Sequence, residues 1–224
     1  MSPHQSRIFA VLCGTLGPVI LVTSFVINPA PPADSTVPQL RDFAIQHHNG
    51  IVLGGWLQGM GSLLIVLFAI ALVHLADATH RLAGWITLLA GTTILMVSLV
   101  EITFYLGAVQ ATESGDTASA LASNNLIKAV QHIFLIAPAL LLPLGFVLLG
   151  SNVLPRGFSY TALALGGTLQ VLGLLGLFWA LQPVIDVILI VQAFWFVAAA
   201  VALLIRGSKK EKEHTAEGSG RTAK

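Results

Sequence analysis

Long apolar runs separated by short polar segments dominate the pattern of this chain. A membrane-spanning helix needs about 20 apolar residues, because each residue adds about 1.5 Å across a hydrocarbon core of about 30 Å. The runs are continuous and do not alternate, which favours helices over the strands of a membrane barrel. The pattern predicts an all-α membrane helix bundle with six spans, near Ile8–Ile27, Ile51–Leu75, Leu82–Ala108, Leu126–Leu149, Phe158–Leu181 and Val184–Ile205.

The Lys and Arg residues beside these runs predict an orientation, since basic residues collect in cytoplasmic loops. The side of the predicted bundle that faces the cytoplasm carries Arg7, Arg81, Arg156, Arg206, Lys209, Lys210 and Lys212. The opposite side carries Arg41 and Lys128. Both termini of a multi-pass cell-membrane protein are therefore predicted to be cytoplasmic. The first run is longer than the apolar core of a signal peptide, about 7–15 residues, so we expect it to be retained.

The polar segments lead to three further predictions. Pro38–His48 can form a short helix lying on the membrane surface, with a modest apolar side. Gln110–Asn125 is polar and rich in small residues, which is typical of a loop on the outer side. Residues 1–206 form the membrane domain, and the tail Gly207–Lys224 has no apolar content to bury, so it is predicted to be disordered.

Composition supports the membrane assignment and excludes other classes. The chain of 224 residues is 55% hydrophobic and only 9% charged, whereas soluble domains carry about 25% charged residues. A net charge of +1 gives no basic field for nucleic acid, so no nucleic-acid partner is expected. The single cysteine, Cys13, excludes an internal disulfide and is read as a packing residue.

The second and fifth spans share a pattern, GGxLQxxG, at Gly54–Gly61 and Gly166–Gly173. An inverted repeat of three spans, as in several transporter folds, is one interpretation. The other is helix packing, because small residues let membrane helices approach closely. The similarity does not extend beyond these segments, which favours packing.

Glu101 is the most informative polar residue, because an acid near the centre of a membrane helix costs on the order of 3 kcal/mol to insert. It lies about 25 Å along its span from Gly84, in the outer half. Its helix face carries small and polar residues that should turn toward the bundle: Thr87, Gly91, Ile94, Ser98, Glu101 and Tyr105. An acid in such a place is a site of function by default, or else an interhelical hydrogen bond.

The fourth span begins with Lys128, Gln131 and His132 at the depth that Glu101 reaches from the other side. A pair of Glu101 with His132 or Lys128 is therefore geometrically reasonable and typical of proton transfer. Catalytic roles are predicted for Glu101 as proton donor, with His132 or Tyr105 assisting. The structural alternative is a lysine and a histidine at headgroup level.

Four spans each carry a glutamine, and in hydrocarbon each amide must find a partner. Gln58, Gln131 and Gln192 lie at a depth similar to that of Glu101, with Gln170 deeper. Together they predict an outer-half polar cavity, although interhelical hydrogen bonds explain each one separately. The predicted ligand-binding residues are Gln58, Gln131, Gln170, Gln192, Lys128, Trp56 and Trp195, the two tryptophans as possible neighbours of the acid that could stabilise a cation.

Metal and cofactor sites are not expected. His47, His48 and His132 lie on one side, but no HxxxH or HExxH spacing accompanies them. No nucleotide-binding loop or nucleophile elbow occurs either.

The layout resembles small six-span bacterial membrane proteins grouped in families of unknown function. The residues that carry the resemblance are Gly14–Pro18 in the first span, the proline-rich first outer loop, and His48–Gly50 at the entry to the second span. The resemblance implies a six-span unit of bacterial origin and no catalytic motif.

Three functions fit these residues. The first is a protein whose outer-half cavity binds a lipid or another small amphiphile, or which serves as a partner subunit. The second is an intramembrane enzyme that cyclises or isomerises a lipid or isoprenoid by acid catalysis. The third is a small transporter, which requires the repeat and a path through the inner half. The sequence predicts membrane lipids as partners and leaves the oligomeric state open.

Overall fold

The computed structural model describes residues 3–28, 36–136, 140–176, 178 and 182–221, and every regular element in these ranges is a helix. In chain order the helices are α1 Pro3–Ile27, α2 Val37–Leu75, α3 Leu82–Glu113, α4 Thr117–Ile136, α5 Leu141–Leu149, α6 Arg156–Gly176 and α7 Gln182–Arg221.

Five of the described helices have the length and apolar composition to cross a membrane: α1, α2, α3, α6 and α7. This confirms the prediction of an all-helical bundle of the membrane type. The predicted span Leu126–Leu149 falls on the end of α4 and on α5, and residues 137–139 between them lie outside the described residues.

Neighbouring helices form a closed ring. Helix α1 packs against α2 and α7, α2 packs against α3, and α3 packs against both α4 and α5. Helix α6 contacts α4, α5 and α7, which completes the ring. Every spanning helix therefore has at least two lateral partners, and each can bury the small and polar residues on its inner faces.

The apolar core lies in the half of the bundle nearer the connections α2–α3 and α5–α6. Phe68 of α2, Leu144 of α5 and Phe196 of α7 are fully buried there. The rings of Phe68 and Phe196 meet edge to face with centroids 6.1 Å apart. Cys13 is also buried in this core, as its interpretation as a packing residue requires.

The same end of the bundle is held by arginines that bind backbone carbonyls. Arg81 Nη1 donates to the carbonyl of Gly150 at 2.9 Å, and Arg206 Nη1 donates to that of Asn152 at 2.9 Å. The α2–α3 connection and the end of the membrane part of α7 therefore both attach to the α5–α6 connection. We call this end the inner end and the opposite one the outer end.

Two outer segments differ from their predictions. The predicted surface helix Pro38–His48 is instead the first part of α2, which continues without interruption to Leu75. The helix starts after Thr36, whose backbone N–H donates to Gln39 Oε1 at 2.8 Å, and Pro38 suits a first turn. The prediction of a separate surface helix relied on the modest apolar side of this segment, but an apolar side can equally pack within a helix that emerges from a membrane.

The predicted outer loop Gln110–Asn125 is mostly helical as well. Helix α3 runs to Glu113, and α4 begins at Thr117 after a turn in which Gly115 has φ +75°. Asp116 caps α4, because its carboxylate accepts from Ser119 Oγ at 2.6 Å and from the Ser119 backbone N–H at 3.1 Å. These bonds hold the pKa of Asp116 below its ordinary value. The alanines of this segment are strong helix formers, which outweighs its polar composition.

At the other end, α7 continues to Arg221, into the tail for which the sequence predicts disorder. That prediction came from the lack of apolar residues, which governs packing. The local preference of a segment rich in Lys and Glu is helical, and it does not depend on packing.

The shared GGxLQxxG segments are places of close helix contact. A Cβ atom on Gly61 would lie 2.7 Å from the backbone nitrogen of Leu21 in α1. One on Gly166 would collide with the backbone nitrogen of Leu142 in α5. Each glycine thus allows close approach of the helix that precedes it in the chain, which supports the packing interpretation of these segments.

Candidate functional site

Glu101 turns toward the bundle, where it meets the glutamine of α2. Its side chain is 8% exposed and that of Gln58 is 4% exposed. Gln58 Nε2 donates a hydrogen bond to Glu101 Oε2 at 2.6 Å. The two residues reach a similar depth from opposite directions along the antiparallel helices, as the glutamine pattern predicts.

A second polar contact lies one helical turn deeper between the same helices. The hydroxyls of Ser62 and Ser98 are 3.0 Å apart, and both side chains are buried. A four-residue step from Gln58 to Ser62 and a three-residue step from Ser98 to Glu101 place the two pairs on one seam. On α3, Ser98 and Glu101 together with the buried residues Thr87 and Gly91 form the expected small-and-polar face.

A cavity of about 330 Å³ begins one turn outward from Glu101, between the outer parts of α2, α3 and α4. We call it the outer cavity. Tyr105 lies four residues beyond Glu101 on the same helix face and lines the cavity. Its apolar wall includes Leu40, Phe43, Ile51, Val109, Leu121 and Ile127.

Polar groups line the same cavity: Asn28, Arg41, Asp42, Thr112 and Asn124. Arg41 and Asp42 are exposed, so they mark the side open to solvent. Asn28 Oδ1 is buried and accepts no hydrogen bond within the part of the chain that the structure describes. Such an acceptor is a place where a donor from a ligand or a water molecule can bind.

The apolar side predicted for Pro38–His48 forms part of this wall. Leu40, Phe43 and Ala44 line the outer cavity, whereas Ile45 is 56% exposed. The residues therefore pack over a cavity and not onto a membrane surface, because α2 carries them upright beside α3.

The two tryptophans predicted to neighbour Glu101 lie elsewhere. Trp56 is 60% exposed, because two residues along a helix turn its side chain to nearly the opposite face from Gln58. Trp195 is buried near the inner end, where its Nε1 donates to Thr161 Oγ1 at 3.0 Å. Thr161 belongs to the second turn of α6, beside the α5–α6 connection, whereas Glu101 lies about 28 Å along α3 from Leu82.

Other predicted residues are placed only in part. Gln170 and Gln192 are half-buried on α6 and α7. The side chains of Lys128, Gln131 and His132 lie outside the described residues, so their predicted pairing with Glu101 remains a prediction.

His47 and His48 have partners at the outer end. His48 Nε2 lies 3.1 Å from Glu113 Oε1, which joins the outer part of α2 to the end of α3. The ring of His47 contacts that of Phe43, with centroids 4.7 Å apart. Among the described residues, no group of three or more His, Cys, Asp or Glu is placed to hold a metal ion.

Sequence reasoning missed most of the outer cavity. Val109, Thr112, Leu121 and Asn124 belong to or border a segment read as a polar loop, so no helix face was assigned to them. The available signal was the spacing of Leu121 and Asn124, three residues apart, beside apolar Ile127 three residues further on.

Comparison of the chain with protein-family models, with curated proteins and with solved structures finds no match.

Proposed function

We propose that this chain is a six-span membrane protein of the cell membrane, with both termini cytoplasmic, whose outer cavity binds a lipid or another small amphiphile. The sixth crossing is formed by α4 and α5 together. The contacts of Arg81 and Arg206 with the α5–α6 connection support this arrangement, since they gather basic residues at one end.

The depth of the outer cavity supports the ligand class. Counted from Leu82 at the inner end of α3, Glu101 lies about 28 Å along the helix and Val109 about 40 Å. A hydrocarbon core is about 30 Å thick, so the cavity lies at the level of the outer headgroups. A molecule bound there meets apolar acyl chains below and water above.

The lining of the outer cavity is the single observation that carries the proposal. Its wall is mainly aliphatic and aromatic, and its exposed side has one positive and one negative side chain, Arg41 and Asp42. A ligand with an apolar part and a polar or zwitterionic end satisfies both surfaces. A wholly polar solute would leave Phe43, Val109 and Leu121 against polar groups.

Photocrosslinking tests the proposal. The purified protein in nanodiscs is exposed to a phosphatidylcholine with a diazirine in its acyl chain, and labelled peptides are mapped by mass spectrometry. We expect saturable labelling of the peptides that contain Phe43 and Val109. Ala120→Trp places an indole in the wall of the cavity and should reduce that labelling by about tenfold, as expected when a pocket is filled.

The matched control is Ala122→Trp, two residues along the same helix on an exposed face. It should leave the labelling unchanged. Equal labelling of wild type and Ala120→Trp, or labelling that never saturates, would show that these peptides only meet bulk lipid.

The alternative of an intramembrane enzyme requires a substrate to reach the Glu101 carboxyl group. The bond from Gln58 to Glu101 and the near-complete burial of both side chains favour an interhelical pair over an accessible acid. A lipid or isoprenoid substrate would have to enter past Tyr105. Glu101→Gln separates the role of a proton donor from that of an interhelical hydrogen-bond partner, because it removes the titratable proton and keeps an acceptor.

A further inference from the structure

A second cavity, of about 690 Å³, lies at the inner end of the bundle. Three charged side chains share its wall: Arg7 of α1, Asp77 after α2, and Arg206 of α7. Residues 150–153 of the α5–α6 connection form another side. Four separate parts of the chain therefore converge on one polar space, at the opposite end from the outer cavity. We call it the inner cavity.

The described part of the chain provides no ion-pair partner for the guanidinium of Arg7. Arg7 is half-buried, and its Nε is fully enclosed with no hydrogen-bond partner in the described part of the chain. Its Nη1 lies against α7, where a Cβ atom on Gly207 would be only 2.7 Å away. Arginine stays charged in proteins, so Arg7 contributes a positive charge to the wall of this cavity.

Arg206 brings a second positive charge to the wall of the same cavity. One of its donors is used by the carbonyl of Asn152 at 2.9 Å. That bond fixes the guanidinium at the cavity wall and leaves its other N–H groups available to a ligand. Two adjacent guanidinium groups repel each other unless an anion lies between or beside them.

Asp77 offsets only part of this charge. Its backbone has φ 49°, a left-handed conformation that aspartate and asparagine tolerate better than most residues. Backbone bonds from Asp77 N–H to His74 and from Ala78 N–H to Val73 hold it there. Within the described residues, Asp77 forms no ion pair with either arginine. Among the described lining residues, two arginines and one aspartate give the inner cavity a net positive charge.

We propose that the inner cavity binds a phosphate-bearing anion, held between Arg7 and Arg206. Guanidinium groups match phosphate oxygens with two parallel hydrogen bonds, which makes arginine a preferred phosphate ligand. Basic pockets between membrane helices on the cytoplasmic side bind lipid headgroups in this way. The ligand is either a lipid phosphate group or free phosphate. The site is separate from the outer cavity and does not depend on its proposed function.

Binding measurements on the full chain in detergent micelles test the site. Phosphatidylglycerol is titrated and followed by native mass spectrometry, with phosphatidylcholine as a lipid comparison. Inorganic phosphate is titrated separately by calorimetry. Saturable binding of phosphatidylglycerol that phosphate does not displace identifies a lipid headgroup as the ligand. Saturable binding of phosphate alone identifies the free anion, and either result supports the proposal.

Variants assign the binding to these residues. Arg7→Gln and Arg206→Gln should each weaken it by about tenfold, because each removes a charge-assisted contact. Arg156→Gln is the matched control: it is an exposed arginine at the same end, on α6, and should bind as wild type does. Asp77→Asn keeps the shape and the left-handed conformation but removes the competing carboxylate, so binding should tighten about threefold.

Failure of both titrations to saturate overturns the proposal. So does an equal loss of affinity in Arg156→Gln and Arg7→Gln, since that pattern reports general surface charge. If Arg7→Gln does not fold, the anion affinity of Asp77→Asn decides. Tighter binding supports an anion in this cavity, because removal of a negative charge favours an anion nearby. Affinity that stays the same or falls contradicts it.

Discussion

The hydrogen bond between Gln58 and Glu101 shows how single residues tie two membrane helices together. An amide and a carboxyl group that face hydrocarbon alone are both costly. Facing each other at 2.6 Å, each satisfies the other. The Ser62–Ser98 contact repeats the arrangement one turn deeper, so the α2–α3 seam carries polar contacts at two levels.

Substitutions at Glu101 distinguish a structural bond from proton chemistry. Glu101→Gln keeps an acceptor for the Gln58 amide and should change the free energy of unfolding by less than about 0.5 kcal/mol. Glu101→Ala leaves that amide buried without a partner and should cost about 1–2 kcal/mol. Unfolding of the purified protein in mixed micelles measures both.

Thr103→Val serves as the control at this scale, because Thr103 is exposed on the same helix and bonds only to the carbonyl of Leu99. It should be nearly neutral. Loss of a cellular phenotype in Glu101→Gln with stability intact would favour the enzyme hypothesis over the structural pair, since that variant removes little except the titratable proton.

At the scale of the helices, two helices approach closely where a glycine of one lies opposite the backbone of the other. Gly166 and Gly167 are adjacent glycines in α6, but their surroundings differ. A Cβ atom on Gly166 would collide with the backbone of Leu142 in α5, whereas one on Gly167 meets nothing within 4 Å. Backbone atoms cannot move aside as a flexible side chain can.

The adjacent pair gives a sharp comparison. Gly166→Ala should force α5 and α6 apart and lower the free energy of unfolding by about 1–3 kcal/mol. Gly167→Ala should be neutral or raise it by up to about 1 kcal/mol, because alanine favours helix over glycine. Thermal unfolding of both variants in one detergent is the measurement. Equal effects would mean that α5 and α6 do not pack as described.

Across the whole molecule, the two ends of the bundle have different character. The inner half holds the fully buried apolar core, and its end is closed by arginine contacts to the α5–α6 connection. The outer half contains the polar seam and the outer cavity, and α2 and α3 extend there beyond the length of a membrane span. Helix α3, with 32 residues, is about 48 Å long, against about 30 Å for the hydrocarbon core.

Accessibility of engineered cysteines tests the six crossings. In a Cys13→Ala background, Ser114→Cys lies in the α3–α4 turn and Gly157→Cys lies at the start of α6, where a side chain has room. Intact cells treated with a membrane-impermeant maleimide should label the first variant and not the second. Both sites are exposed, so a difference reports the membrane and not burial.

Permeabilised cells provide the control, in which both variants should react. Labelling of both sites in intact cells would show that α4 and α5 together do not cross the membrane. Labelling of Gly157→Cys alone would reverse the predicted orientation.

Apolar run length and the position of Glu101 are local properties, and the sequence alone determined the helical bundle and the inward helix face that depend on them. It predicted an all-helical membrane bundle, and the 3–4 spacing from Thr87 to Glu101 predicted the face of α3 that turns inward. The apolar side of Pro38–His48 and the polar composition of Gln110–Asn125, by contrast, led to wrong predictions, because a helix can leave the membrane without ending.

Only the tertiary structure decided which residues meet. The choice of Gln58 as partner of Glu101, the separation of Trp195 from that pair, and the placement of Arg7 and Arg206 on one cavity wall depend on the rotation and neighbours of each helix. These are set by contacts between residues distant in the chain, such as Gly61 with Leu21 and Gly166 with Leu142. Periodicity within one segment fixes the inward face of a helix, but it carries no information about the helix that will lie against that face.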